Sequence, residues 1–167
     1  MASKKLTLST LKKEHSKIFN KKKEIVLDNG CKVVLDEVFA PTKMQAAFEE
    51  LVEKVVYVND SEEIDDQIML SIWPKYTLFL LIKYFTDVDI PKSFEDQVVV
   101  MNYLIDLHYF EKIIDSFEDS EIEKWLEQLK KIDENYALIS QLALENERNN
   151  RTVGDEDGDS EKSSTTI

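Results

Sequence analysis

Three residues could begin covalent or metal chemistry: the single cysteine, Cys31, and the two histidines, His15 and His108. A thiolate and an imidazole can pair as nucleophile and base, and the same residue types hold zinc. The histidines lie far apart in sequence and Cys31 has no CxxC mate, so no zinc site has its ligands at a recognised spacing. A free cysteine beside a turn reads as structural, as does His108 among Leu107, Tyr109 and Phe110, where a partly buried ring is expected. The acids offer more positions. Asp87 with Asp89, or Glu62, Glu63, Asp65 and Asp66, could hold Mg²⁺ or Ca²⁺, but none has EF-hand spacing, and among 34 acids adjacent carboxylates arise by chance. The three glycines, Gly30, Gly154 and Gly158, form no phosphate-cradling pattern. The expectation is a protein that is not an enzyme and uses no cofactor and no metal.

The elements that would position any site begin with KEIVLDNGCKVVLDEVFAPTKMQAAFEELVEKV, residues 23–55. Asn29-Gly30 between two apolar runs predicts a type I′ hairpin. With a two-residue loop, Asp28 faces Cys31, Leu27 faces Lys32, Val26 faces Val33 and Ile25 faces Val34. Aliphatic groups then fall on both faces, and a lone two-stranded ribbon is marginal in water. It must pack on its own helices, on more strands or on a second copy, and for the last case Ile25, Val26, Val33 and Val34 are the candidate self-association residues. Thr42-Lys43-Met44-Gln45 has capping-box form, and Met44, Ala47, Phe48, Leu51, Val52 and Val55 recur at helical spacing after it.

From Ile64 the chain reads as all-helical. A short helix carrying Ile68, Met69, Ile72 and Trp73 precedes a second that starts at Pro74 and carries Tyr76, Phe79, Leu80 and Tyr84. Ser93 with Asp96 predicts the cap of a mostly buried helix carrying Val98, Val99, Met101, Leu104, Ile105 and Leu107. Phe110, Ile113, Ile114 and Phe117 mark a short apolar face. Ser120-Glu121-Ile122-Glu123 predicts the capped start of a last helix, with apolar residues from Ile122 to Ala143. The fold class is therefore mainly α with a small β-hairpin near the N-terminus, an α+β compact helical domain. Residues 1–22 form a basic arm holding a short helix, 23–145 the hairpin and helical domain, and 146–167 a polar acidic tail expected to be disordered.

The net charge of −13 conceals a division. Residues 1–23 contain eight lysines and one acid, Glu14, so the arm carries +7 and the remainder −20. Such an arm can bind phosphates, or it can fold against its own acidic body or that of a neighbouring copy; the charge of the body repels a polyanion and argues against nucleic acid. The longest apolar run, Leu78 to Ile82, is far too short to span a bilayer. No secretory signal is visible, and the lone cysteine offers no intramolecular disulfide. The expectation is a cytosolic protein with no membrane partner.

Trp73, Tyr76, Phe79, Tyr84 and Phe85 crowd around Pro74 as either core or a docking surface, and Trp73, Tyr76, Phe79 and Tyr84 are the candidate partner-binding residues. The layout of basic arm, Asn-Gly hairpin, capped amphipathic helix, acidic helical body and acidic tail, with EIVLDNGCKVVLDEVFAPTKMQAAFEEL as its most telling stretch, resembles the tail assembly chaperones of long-tailed bacteriophages. The resemblance implies a non-enzymatic protein of the host cytoplasm that coats the tape measure protein and keeps it soluble. It also implies a homo-oligomer, with the tail tube protein recruited through a longer frameshifted form. Two other readings stay open: an acidic phage-encoded inhibitor that mimics DNA, and a small regulator that binds nucleic acid through its lysine arm.

Overall fold

A computed structural model describes residues 5–59 and 66–135. The chain divides into two units, residues 1–125 and 126–167. In order come α1 (Leu8–Phe19), β1 (Lys22–Val26), β2 (Lys32–Asp36), α2 (Pro41–Asn59), α3 (Asp66–Phe85), α4 (Phe94–Asp106), α5 (Tyr109–Ile114) and α6, residues 119–135. The expected mainly helical fold with one antiparallel hairpin is present. Strand β1 starts at Lys22, so the last residue assigned to the basic arm already belongs to the hairpin. The acidic loop residues Glu62, Glu63 and Asp65, the later part of the last helix and the tail lie outside the described residues.

The hairpin register differs from the expectation by one residue. Ile25 pairs with Val33, Glu24 with Val34 and Val26 with Lys32. Of the turn residues only Gly30 has positive φ, at 82°, whereas a type I′ turn needs two. Leu27 N donates to Cys31 O at 2.8 Å, which closes a three-residue loop, and Asn29 Oδ1 accepts from Cys31 N at 2.9 Å. Burial accounts for the choice. The expected register would turn Asp28, Val26 and Glu24 to the core face with the buried Val33 and Leu35, a single apolar residue of the three. The observed one turns Ile25 and Leu27 inward with Val33 and Leu35, and leaves Glu24 outside, where it pairs with Lys32 at 2.8 Å. A Cβ at Gly30 would meet nothing within 4 Å, so Gly30→Ala pays only for its left-handed backbone. A loss of about 1 kcal/mol is expected in urea unfolding.

The far edge of β2 is also occupied. Leu35 bridges Thr86, Val34 N donates to Asp87 Oδ1 at 2.8 Å and Asp87 N to Val34 O at 3.1 Å. Asp87, weighed above as a cation ligand, completes the sheet edge.

Three helix starts or ends differ from the sequence reading. Helix α2 begins at Pro41, with Lys43 N and Met44 N both donating to Ala40 O at 3.0 Å, so Thr42 lies inside the first turn instead of capping it. Proline suits this position because its missing N–H is one that no helix could use. Helix α3 runs through Pro74 as one element; burial of Tyr76, Phe79, Leu80, Leu81, Ile82 and Phe85 rewards an unbroken rod. Helix α6 starts at 119, where Glu121 N and Ile122 N donate to Glu118 O. Ser120 therefore sits within the first turn. Glu121, 4% exposed, uses its carboxylate elsewhere: it accepts from Phe39 N at 2.9 Å and from Lys124 Nζ at 2.5 Å. The cap at Ser93 is as expected, its hydroxyl accepting from Asp96 N.

The core is aromatic. Phe39 stacks on Phe85 at 4.0 Å and meets Phe117 edge-on at 5.2 Å, while Phe48 of α2 stacks on the fully buried Trp125 at 4.3 Å. Helix α4 is less buried than its sequence suggests. Only Phe94, Gln97 and Met101 are buried, and Val99, Tyr103 and Leu107 are 44%, 62% and 56% exposed.

Candidate functional site

Helix α3 has two working sides. One enters the core: Tyr76 and Phe79 are fully buried, while Trp73 is half-buried against Tyr76 and Phe94 at 5.8 and 6.1 Å. Two of the four residues assigned to partner binding are thus interior, which leaves Trp73 and Tyr84 with surface of their own.

Tyr84 and Tyr76 instead serve a polar knot that ties three helices. Glu50 of α2 receives Lys83 Nζ on both oxygens at 2.6 and 2.7 Å, Tyr84 OH at 2.7 Å and Gln97 Nε2 at 3.2 Å. The buried Gln97 of α4 accepts from Tyr76 OH at 2.6 Å and donates to Pro91 O at 3.0 Å. Burial pushes the Glu50 carboxyl up, but the hydrogen bonds from Lys83, Tyr84 and Gln97 and the Lys83 charge outweigh it and hold the group below its ordinary value. Burial, reinforced by Glu50, pushes both tyrosine hydroxyls up. Every strong donor here is matched by an acceptor within the chain, which is the arrangement of a structural clasp.

The other side of α3 opens on a groove of about 280 Å³ lined by Lys75 and Leu78 of α3, Ile105 of α4, Phe110, Glu111 and Ile114 of α5, and Asp115. Its floor is apolar and its rim sets one lysine against two acids. The groove exists because α5 folds back on α4 through His108, which is left-handed at φ 59° and whose N donates to Ile105 O at 2.9 Å. His108 is exposed, and not the partly buried ring expected. A glycine adopts this conformation without the Cβ clash. His108→Gly is therefore expected to raise stability by about 1 kcal/mol, seen as a higher thermal midpoint.

The sequence reading missed the groove. Leu78 was visible only as part of an apolar run, and nothing in a histidine marks a chain reversal. The chemistry-bearing residues do not converge. Cys31 is exposed at the hairpin loop, and among the described residues no group of three His, Cys, Asp or Glu side chains could hold a metal ion. No helix among the described residues is long and apolar enough to cross a membrane. Of the candidate self-association residues, Val33 is buried, Ile25 and Val34 are half-buried and Val26 is 52% exposed. The inward face of the ribbon is thus covered by its own chain.

Fold and site together define a mainly helical α+β protein whose acidic body carries an apolar groove. A family model described as YomO matches residues 8–163, and the chain belongs to the YomO family. The SPbeta prophage-derived uncharacterized protein YomO of Bacillus subtilis (strain 168) is 26% identical over 133 residues, covering 80% of this chain and 78% of that protein. No solved structure matches. The two matches support a phage-derived protein.

Proposed function

We propose that the protein is a non-enzymatic tail assembly chaperone that holds a phage tape measure protein soluble in the host cytoplasm. The observation that carries this reading is the groove between α3, α4 and α5 on a body of strong negative charge. At about 280 Å³ it suits one large apolar side chain rather than a cofactor. A long amphipathic helix offers such side chains at every second turn, and docking several copies along it covers its apolar stripe. Lys75 on one rim and Glu111 and Asp115 on the other fit a client helix carrying both charges. The acidic surface then keeps the coated client from associating with its like. Kinship with a prophage protein and the layout shared with tail assembly chaperones are consistent with this role. A longer frameshifted form would bring in the tail tube protein.

The test is co-expression with a phage tape measure protein. Leu78→Glu and Ile114→Lys, both at half-buried positions, are expected to reduce soluble client at least about fivefold while the variants themselves stay folded by circular dichroism. Trp73→Ala serves as a comparison at the other side of α3. Equal recovery of client with the wild type and both groove variants overturns the proposal.

A further inference from the structure

Helix α1 is amphipathic, and among the described residues nothing covers it. None of its residues is buried, and Leu8, Leu11 and Ile18 are 68%, 48% and 48% exposed. At 100° per residue Leu8, Leu11, His15, Ile18 and Phe19 fall within an arc of about 100°. The stripe is held as such, with the His15 and Phe19 rings at 4.9 Å. Lys13 and Lys17 project from the opposite side and Lys12 borders the stripe. The helix is well started, with Thr7 Oγ1 accepting from Thr10 N, so it is a made element rather than a loose end.

Helix α4 presents the complement. Val99, Tyr103 and Leu107 recur every fourth position on its outer side, opposite Phe94, Gln97 and Met101, which enter the core. The exposed acids Glu95, Asp96 and Asp106 flank that outer stripe, and α4 contains no basic residue. One helix is thus an apolar stripe bordered by Lys12 on a segment of net positive charge, and the other an apolar stripe with carboxylates beside it. Each is about three to four turns long.

We propose that α1 of one copy lies on the outer face of α4 of a second copy, and that the second returns the same contact. The exchange is reciprocal, so it closes as a two-fold dimer with both stripes of both chains covered. Apolar burial supplies the attraction, while Lys12 at the margin of the stripe and the net positive charge of α1, against the acids of α4, select the partner and offset the repulsion between two bodies of like charge. The inference uses neither the groove nor the client, so loss of client binding and loss of the dimer are separate results.

Light scattering on the full chain after size exclusion is expected to give a dimer at low salt that weakens at high salt. Leu11→Glu with Ile18→Glu should raise the dissociation constant at least about 100-fold, since two large aliphatic groups lose their burial. These positions lie outside the core, so the fold is unaffected. Tyr103→Lys should do the same from the receiving side. Lys12→Glu should weaken the dimer, and adding Asp106→Lys should restore part of it. In a Cys31→Ser background, mixing a Leu11→Cys chain with a Tyr103→Cys chain in the presence of added oxidised glutathione, which accepts the two electrons, should give a disulfide between the two. A wild-type monomer, a dimer indifferent to both apolar variants, or a monomer whose arm shifts a DNA duplex each overturns the inference.

Discussion

Glu50→Gln is expected to destabilise the protein by about 2–3 kcal/mol at about pH 7. The variant keeps the shape but removes the charge that Lys83 and Tyr84 both face, and the Glu50 and Lys83 side chains are only 11% and 21% exposed. The loss falls short of the roughly 3–5 kcal/mol for a fully buried pair because the lysine can turn partly toward water. Urea unfolding at two pH values checks the electrostatic part. Glu50 is held below its ordinary value of 4.5 in the folded chain, so the unfolded chain takes up the proton first. Its contribution is complete above that ordinary value and is lost as the pH falls through the folded value. The gap between wild type and Glu50→Gln should therefore narrow on going from about pH 7 to about pH 4. A constant gap would mean that the knot acts by packing alone.

Trp125→Ala should cost more, about 3–5 kcal/mol. The indole is fully buried, stacks on Phe48 with ring planes 20° apart, and anchors the beginning of α6 to α2. Its Nε1–H finds no acceptor among the described residues. That sets the second half of the prediction: Trp125→Phe keeps a ring on Phe48 and removes a polar group that was not satisfied, so its cost should be near 1 kcal/mol. Equal losses for alanine and phenylalanine in guanidinium unfolding would show that the N–H, not the ring, is what matters. Because the chain has only two tryptophans, the quantum yield of Trp73 in either variant reports whether the rest of the core is intact.

The elements easiest to read in the sequence were those whose signals are local. The Ser93 cap needs only Asp96 three residues on, and the apolar period of α2 needs only its own residues. Where a local signal competed with burial, burial decided. Asn29-Gly30 favours a two-residue turn, yet that turn would have aimed Glu24 at the core, and one more loop residue avoids it. Thr42 and Ser120 both have capping-box partners, but the helices begin just before them. Pro74 reads as a start and is an interior residue, since fully buried positions on its C-terminal side hold one continuous helix in place. The groove was not legible because its walls come from three helices and its shape from a left-handed histidine. The polar knot was hidden for a related reason: Glu50, Lys83 and Gln97 each look like ordinary surface residues until three helices meet.

The way β2 is held has a consequence for assembly. With β1 along one edge and Thr86 and Asp87 against Val34 and Leu35 on the other, the middle of β2 is closed to a further strand. Among the described strands the open margin is that of β1, and it bears Lys22, Lys23 and Glu24, whose charges discourage any sheet from growing there. On the proposed role, many copies gather along one client, and an open sheet edge would let those copies join to one another. The hairpin is poorly suited to strand addition, so the contacts proposed above between copies and with a client fall to the helices.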